Sequence, residues 1–216
     1  MIKVDIKGDY ALFTRPEFKV ERVSYDCITP SAIRGILKSI YWHKGLEYEV
    51  DKIYVLNPIK FMNIKRNEIK SKIPYKKVFN AVKSGEGDLY LARDMEINQR
   101  TSMVLKDVHY VVDAHFVVNK KEINETDSEA KFASIFNRRL EKGQFFHAPC
   151  LGCREFPAIV TPYRGGEEIK TAYKGKRDLG FMLCYMNYSF DEILPSFFRA
   201  ILKDGVLDLR DKKVFM

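Results

Sequence analysis

Apolar positions that recur at steps of three and four residues predict an amphipathic helix between Thr29 and Trp42. Thr29 is suited to the N-cap, and Pro30 to the first helical position, where a missing backbone N–H costs nothing. We therefore expect a packing helix that ends on Tyr41. Its predicted buried face consists of Ile33, Ile36, Leu37, Ile40 and Tyr41.

The same spacing predicts a second helix from Ser128 to Lys142, which Ser128 or Asp127 can cap and Gly143 can end. Its apolar stripe consists of Phe132, Ile135, Phe136 and Leu140. The opposite face carries a net cationic ridge, formed by Lys131, Ser134 and Arg138. Such a ridge is either a solvated helix surface or an edge that faces phosphates.

Alternation of apolar and polar residues predicts strands in three places. The first strand runs from Lys3 to Phe13, with a bulge or turn expected at Gly8-Asp9. A β-rich stretch runs from Glu49 to about Ile64, and the strongest strand signal covers Met103 to Val118. Further strands and turns are expected in the last third of the chain.

Two groups of side chains invite a metal-site interpretation. One face of the Met103–Val118 strand presents two aspartates and two histidines, namely Asp107, His109, Asp113 and His115. That face is equally typical of a half-polar sheet surface that meets solvent or a ligand. A loop places His147, Cys150 and Cys153 at three-residue spacings, which is half of a zinc site at most. We therefore predict no metal or other cofactor.

The predicted order is strand, helix, strands, strand, helix, strand. This order is typical of an α+β, ferredoxin-like or RNA-recognition-like fold, whose open sheet face suits single-stranded RNA. We expect residues 1–160 to form a ferredoxin-like RNA-binding and catalytic domain. Residues 161–216 are expected to form a β-rich C-terminal extension, an antiparallel sheet packed on that domain.

Composition indicates a cytoplasmic globular protein of 216 residues, with 46% hydrophobic and 31% charged residues. No apolar run approaches the length of a membrane span, so no membrane association is expected. The first residues are not typical of a signal peptide, because charges interrupt every apolar pair. In that compartment the four cysteines are expected to be reduced thiols.

The net charge of +8 is concentrated in one segment. Between Lys60 and Lys83, eight basic side chains accompany a single acid, Glu68. A charge run is often only a solvated face, but aromatic residues are interleaved here, at Phe61, Tyr75 and Phe79. Aromatic rings beside cations suit stacking on unpaired bases together with phosphate neutralisation, which favours an RNA ligand.

Several blocks along the chain resemble one known family, the CRISPR-associated protein family five in its type I-C (Dvulg) variety, which belongs to the RAMP superfamily. The blocks occur in the family's order and cover nearly the whole chain. They are Gly8-Asp-Tyr-Ala-Leu-Phe-Thr14, Thr29-Pro-Ser-Ala to Ser39-Ile-Tyr-Trp42, Leu56-Asn-Pro-Ile59, Leu105-Lys-Asp-Val-His-Tyr110 with Ala114-His-Phe116, and Lys142-Gly-Gln to Leu151-Gly-Cys-Arg-Glu-Phe156.

The resemblance implies a metal-independent endoribonuclease that cleaves CRISPR precursor transcripts within the repeat. Its implied partners are the repeat hairpin with its flanking single strand, and other subunits of the type I-C interference complex, in which it stays on the 5′ handle. The implied catalytic set is a tyrosine that ends the first helix, and a lysine and histidine at the start of the second. Tyr41 and Lys131 match the first two, whereas Phe132 occupies the histidine position.

The departure at Phe132 leaves the proton donor open, because a phenyl ring does no acid–base work. His147 resembles a Gly-Gln…Phe-His motif found in part of the family and is our first candidate, with His43 second. If neither acts, the chain is instead a non-cleaving subunit that binds guide RNA. Basic residues expected to contact RNA are Arg34, Lys38, Lys65, Arg66, Lys70 and Lys76, with Arg138 and Arg154 as phosphate clamps.

Overall fold

The computed structural model describes residues 2–18, 20–87, 89–124, 126–166, 168–188 and 193–215, and it shows an α+β protein with one mostly antiparallel sheet. The elements in chain order are β1 (Ile2–Ala11), β2 (Arg22–Val23), α1 (Pro30–Ile40), β3 (Leu46–Val55), β4 (Phe61–Ile69), α2 (Tyr75–Ser84), α3 (Arg93–Glu96), β5 (Ile97–Val118), α4 (Glu129–Glu141), β6 (Ile159–Pro162), β7 (Lys176–Tyr188), β8 (Ile193–Lys203), β9 (Val206–Asp208) and β10 (Val214–Phe215).

Hydrogen bonds order the strands as β10-β8-β9-β3-β5-β1-β6, with β7 on β8 and both β2 and β4 on β5. Among the strands of the described residues, only β2 runs parallel to its neighbour. The second half of β5 is central, between β3 and β1, whereas its first half pairs with β4 from Phe61↔Leu105 to Ile69↔Ile97. We call β4, α2, α3 and this first half of β5 the arm.

Both predicted long helices are confirmed, and their ends have the expected chemistry. The Thr29 hydroxyl accepts the Ala32 N–H at 3.2 Å, and Tyr41 is the C-cap of α1. Ser128 caps α4 by accepting the Lys131 N–H at 3.2 Å. The apolar stripes are buried against the sheet, where the Phe136 ring lies 5.9 Å from that of Tyr48 and 6.0 Å from that of Phe116.

The prediction of a bulge or turn at Gly8-Asp9 is wrong, because β1 continues through both residues and its register with β5 does not change. Gly8 instead permits a close approach of the loop after α4. A Cβ at position 8 would lie 2.5 Å from Leu151 Cδ1 and 3.0 Å from the Pro157 carbonyl oxygen. The loop that carries His147 is thereby held against the strand.

The arm differs most from the sequence expectation. The strand predicted to end near Ile64 continues to Ile69, and the basic residues after it form α2. None of the residues of α2 is buried, and the Tyr75 and Phe79 rings stack on each other at 6.1 Å between centroids. None of the helices in the described part of the chain is both long and apolar enough to cross a membrane.

Candidate active site

Tyr41 lies where the end of α1 meets α4. The Tyr48 hydroxyl donates a hydrogen bond to the Tyr41 carbonyl oxygen at 2.6 Å. From α4, Arg139 donates to the Ile40 carbonyl oxygen at 3.2 Å, and its guanidinium lies over the Tyr41 ring at 5.1 Å. Only 7% of Tyr41 is exposed. Contacts from β3 and α4 therefore fix the end of α1 in one position.

The carboxylate of Asp127 joins two further functional groups beside Tyr41. One oxygen lies 2.7 Å from Lys131 Nζ, and the other lies 3.5 Å from His43 Nε2 and accepts the Asn124 N–H at 3.1 Å. The hydrogen bonds from Lys131 and from the Asn124 backbone hold the pKa of Asp127 below its usual range. We call Tyr41, His43, Asp127 and Lys131 the Tyr41 cluster.

Exposure differs within the Tyr41 cluster in a way that suits catalysis. The Asp127 side chain is only 3% exposed, whereas that of Lys131 is 46% exposed and that of His43 is 28% exposed. The carboxylate is therefore covered and serves to position its partners. The ammonium and imidazole groups remain open to a ligand.

Phe132 forms the apolar floor of the Tyr41 cluster. It is fully buried, and its ring centroid lies 6.1 Å from that of Tyr41 and 5.0 Å from that of His43. His43 thus lies against the phenyl ring that replaces the histidine implied by the family resemblance. The imidazole comes from the loop after α1 instead of from α4.

Burial raises the pKa of Tyr41, and the Asp127 charge raises it further, although Arg139 and Lys131 act in the opposite direction. The side chain is accordingly a neutral phenol at neutral pH. It can orient a ribose hydroxyl but is poorly suited to remove a proton from it.

His147 lies on another side of α1. It is exposed and lines a cavity of about 330 Å³ together with Ser31, Ala32, Gly35 and Cys150. The neighbouring Phe146 N–H donates to the Ser39 carbonyl oxygen at 2.8 Å, which attaches the loop to the helix. The contacts that join the Tyr41 cluster do not include His147.

Three of the four Asp and His side chains of β5, those of His109, Asp113 and His115, contact side chains of the neighbouring strands β1 and β3. His109 Nε2 lies 3.0 Å from Asp5, and His115 Nδ1 lies 2.9 Å from Asp51. The Tyr54 hydroxyl donates to Asp113 at 3.0 Å, and Lys3 Nζ lies 3.4 Å from the other Asp113 oxygen. Across the described ranges, no group of three His, Cys, Asp or Glu side chains is placed to hold a metal ion.

The basic residues expected to bind RNA divide into two groups. Three are already paired with acids: Arg34 with Glu49, Lys38 with Glu47 at 2.7 Å, and Arg66 with Glu155 at 2.8 Å. The other five are exposed, namely Lys65, Lys70 and Lys76 on the arm, Arg138 on α4 and Arg154 in the loop after it. The arm therefore presents cations next to the stacked Tyr75 and Phe79 rings.

Two residues of the site were not anticipated from sequence. Asp127 was considered only as a helix cap, although its spacing of four residues from Lys131 is a known ion-pair spacing. The sequence predicts a phosphate contact for Arg138 and none for Arg139. No local pattern indicates its stacking on Tyr41, because that contact depends on how α1 and α4 pack together.

The fold assigns the chain to the CRISPR-associated proteins as a class. A solved structure described as a CRISPR-associated protein superposes with a TM-score of 0.70 at 25% identity, and the match covers 100% of this chain and 96% of that one. More particularly, the chain belongs to the Cas5d family, since the family model described as "CRISPR-associated protein (Cas_Cas5)" matches residues 1–210.

Two curated relatives carry the same description, CRISPR pre-crRNA endoribonuclease Cas5d. The protein from Mannheimia succiniciproducens is 45% identical over 213 residues, which cover 96% of this chain and 94% of the relative. The protein from Thermus thermophilus is 38% identical over 230 residues, which cover 98% of this chain and 92% of the relative.

Proposed function

We propose that this chain is an endoribonuclease that cleaves CRISPR precursor transcripts within the repeat and then stays on the 5′ handle as a subunit of the type I-C interference complex. The relative that is 45% identical along nearly its full length is described as an endoribonuclease acting on pre-crRNA. The observation that carries the proposal is the Tyr41 cluster, where Asp127 positions a cation and an imidazole beside a tyrosine.

In the proposed mechanism, the 2′-oxygen attacks the adjacent phosphorus. A 2′-O–P bond forms, the bond from phosphorus to the 5′-oxygen breaks, and the products are a 2′,3′-cyclic phosphate and a 5′-hydroxyl. Tyr41 orients the 2′-hydroxyl, whose proton is lost to solvent. Lys131 Nζ stabilises the negative charge of the phosphorane, and His43 supplies a proton to the departing 5′-oxygen.

His43 has the hydrogen-bonding environment of a proton donor. Its Nδ1 lies 2.7 Å from the Lys44 carbonyl oxygen, which can only accept a hydrogen bond. Its Nε2 faces the Asp127 carboxylate at 3.5 Å. Both ring nitrogens of His43 therefore face oxygen atoms that can accept a hydrogen bond from them.

The fold supports a finer architectural proposal. Strands β3, β5, β1 and β6 are neighbours in that order. In sequence, α1 lies between β1 and β3, and α4 lies between β5 and β6. We infer that these six elements form a ferredoxin-like unit that ends with β6 at Pro162, two residues beyond the boundary predicted at residue 160. The residues after β6, with β7 to β10, are inferred to form the appended β-rich domain.

We predict that purified protein cleaves its own repeat RNA at an undiminished rate in EDTA. In this mechanism the Lys131 ammonium group takes the place of the metal ion that a metal-dependent nuclease uses. The mechanism also requires the 2′-hydroxyl as the nucleophile. A substrate with a single 2′-deoxy nucleotide at the cut should be bound but not cleaved. Gel analysis of labelled RNA, with cyclic-phosphate ends identified by mass spectrometry, provides the measurement. Cleavage of the deoxy substrate, or rescue by added Mg²⁺ of activity lost in EDTA, would contradict the mechanism.

The alternative function is a guide-RNA-binding subunit that does not cleave. The buried Phe132 favours it, because this side chain occupies the position at which the resemblance implies a catalytic histidine. Tight binding of the repeat with no product after long incubation at any pH would establish this alternative.

The arm gives a separate prediction about affinity. The double variant Lys70→Ala/Lys76→Ala removes two exposed cations, and each lost phosphate contact should lower the salt dependence of binding by about 0.7 logarithmic units per decade for single-stranded RNA. Affinity for repeat RNA at low salt is expected to fall, while the cleavage rate at saturating protein is retained. Lys203→Ala, an exposed change on β8, is the control, and fluorescence anisotropy over a salt series is the measurement. An unchanged salt slope would show that the arm does not contact phosphates.

A further inference from the structure

Gly35 lies in the middle of α1, where neither the backbone conformation nor the neighbouring side chains require a glycine. Its φ is not positive, and a Cβ built at this position would meet no atom within 4 Å. Glycine inside a helix costs stability relative to alanine. The missing side chain therefore opens space on the exposed face of α1 that the described residues of the chain do not fill.

Two cavities meet at this glycine. The cavity of about 330 Å³ that His147 lines also touches Ser31 and Gly35. A second cavity, of about 570 Å³, touches the same two residues and continues between α1, β3 and β7 to Tyr185 and Tyr188. Together they form a groove that crosses the outer face of α1, and Gly35 lines both of its halves. We call it the α1 groove.

The walls of the α1 groove suit a nucleotide chain. The Arg34 guanidinium lies over the Tyr185 ring at 4.8 Å, and Tyr188 is 77% exposed. The first turn of α1 contains no acidic residue, so the helix dipole favours an anion nearby. Flat aromatic and guanidinium surfaces suit unpaired bases.

Two cations and two carboxylates line the groove, and Lys212, which does not line it, pairs with one of the carboxylates. Glu49 accepts from Lys212 at 2.5 Å and also pairs with Arg34, while Glu47 pairs with Lys38 at 2.7 Å. Three cations thus accompany two carboxylates. Burial alone would raise the pKa of Glu49, but the hydrogen bond from Lys212 and the Arg34 charge outweigh it and lower that pKa, so the carboxylate holds both cations in place. The exposed Lys38–Glu47 pair can open towards a phosphate, because such pairs contribute little stability.

The position of the groove connects it to the proposed active site. Gly35 precedes Tyr41 by six residues, which corresponds to about 9 Å along a helix axis. A chain lying across α1 at Gly35 therefore comes close to the Tyr41 cluster at the end of the same helix.

We propose that the α1 groove binds the single-stranded RNA that flanks the repeat hairpin, with its backbone passing over Gly35. This assignment rests on the proposed function, because its occupant is the RNA that the Tyr41 cluster cleaves. It adds a binding surface on the helix that ends with the catalytic tyrosine, and it gives Gly35 a role in substrate access.

The test uses variants in which stability and binding are expected to change in opposite directions. Gly35→Ala should raise the melting temperature by about 2–4 °C, because alanine is the better helix former and has room for its Cβ. Gly35→Leu places a larger side chain in the groove and should weaken binding of hairpin RNA with its flank by about tenfold or more. Gly35→Ala should bind with intermediate affinity. Gly166→Leu, at a loop glycine that also has open space around it, is the matched control.

Binding is measured by anisotropy with RNA that carries a 2′-deoxy nucleotide at the cut, so that cleavage does not enter the result. A hairpin without its flank should bind the wild type and Gly35→Leu equally. If Gly35→Leu binds the flanked RNA as tightly as the wild type, the groove does not bind RNA and is instead a surface for a protein partner. Equal weakening for both RNAs would overturn the single-strand assignment. A wild-type protein that binds neither RNA would overturn the proposed function itself.

Discussion

Lys131→Ala is expected to lower the single-turnover rate of repeat cleavage by about 10²- to 10³-fold, the usual loss when one group that stabilises a developing oxyanion is removed. The ammonium is 46% exposed and is held at 2.7 Å by Asp127, so it is both accessible and oriented. Binding of uncleavable repeat RNA should change by less than about threefold, because a transition-state interaction contributes little to ground-state affinity.

The matched control for this prediction is Lys142→Ala. Lys142 is an exposed lysine at the opposite end of the same helix and has no contact with the Tyr41 cluster. Its removal should leave the cleavage rate unchanged. If Lys131→Ala loses affinity and rate in equal proportion, Lys131 is a phosphate-binding residue and does not act on the transition state. If the rate is unaffected, the proposed mechanism is wrong.

Local chemistry made the two long helices predictable from sequence. Capping residues and apolar spacing are properties of residues close together in sequence, so short segments were enough to predict α1 and α4. The position of Tyr41 at the end of α1 was predictable for the same reason. The second half of β5 was predictable from sequence, because β1 and β3 flank it and its apolar side chains alternate as in a core strand. Its first residues, before Met103, were not predicted, because β4 has mostly exposed side chains and residues 97–101 of β5 include none that is buried.

The composition of the active site was less predictable than the fold. Lys131 and Asp127 are four residues apart at the start of α4, but His43 comes from the loop after α1 and reaches them where its ring packs on Phe132. Sequence reasoning favoured His147, which is closer to a motif but lies along another side of α1. Residue spacing within one segment thus predicts helix caps and ion pairs between nearby residues. Contacts between distant segments depend on tertiary packing and cannot be predicted in this way.

The identity of the acid gives the second large prediction. His43→Asn is expected to lower the cleavage rate by about 10²- to 10⁴-fold, the usual contribution of a positioned general acid or base. Asparagine retains a donor for the Lys44 carbonyl oxygen but cannot deliver a proton. His147→Asn is the matched control and should change the rate by less than about threefold, since His147 has no contact with the Tyr41 cluster. A large loss in His147→Asn with none in His43→Asn would restore His147 as the catalytic histidine.

A substrate with sulfur in place of the 5′-oxygen at the cut separates acid catalysis from a positioning role. A thiolate leaves without a proton because thiols are far stronger acids than alcohols, so this substrate does not need a general acid. The wild type and His43→Asn should therefore cleave it at similar rates, while Lys131→Ala remains slow because charge still develops on the phosphorane oxygens. If His43→Asn cleaves the sulfur substrate as slowly as the oxygen substrate, His43 serves to hold the site together and the proton comes from another group.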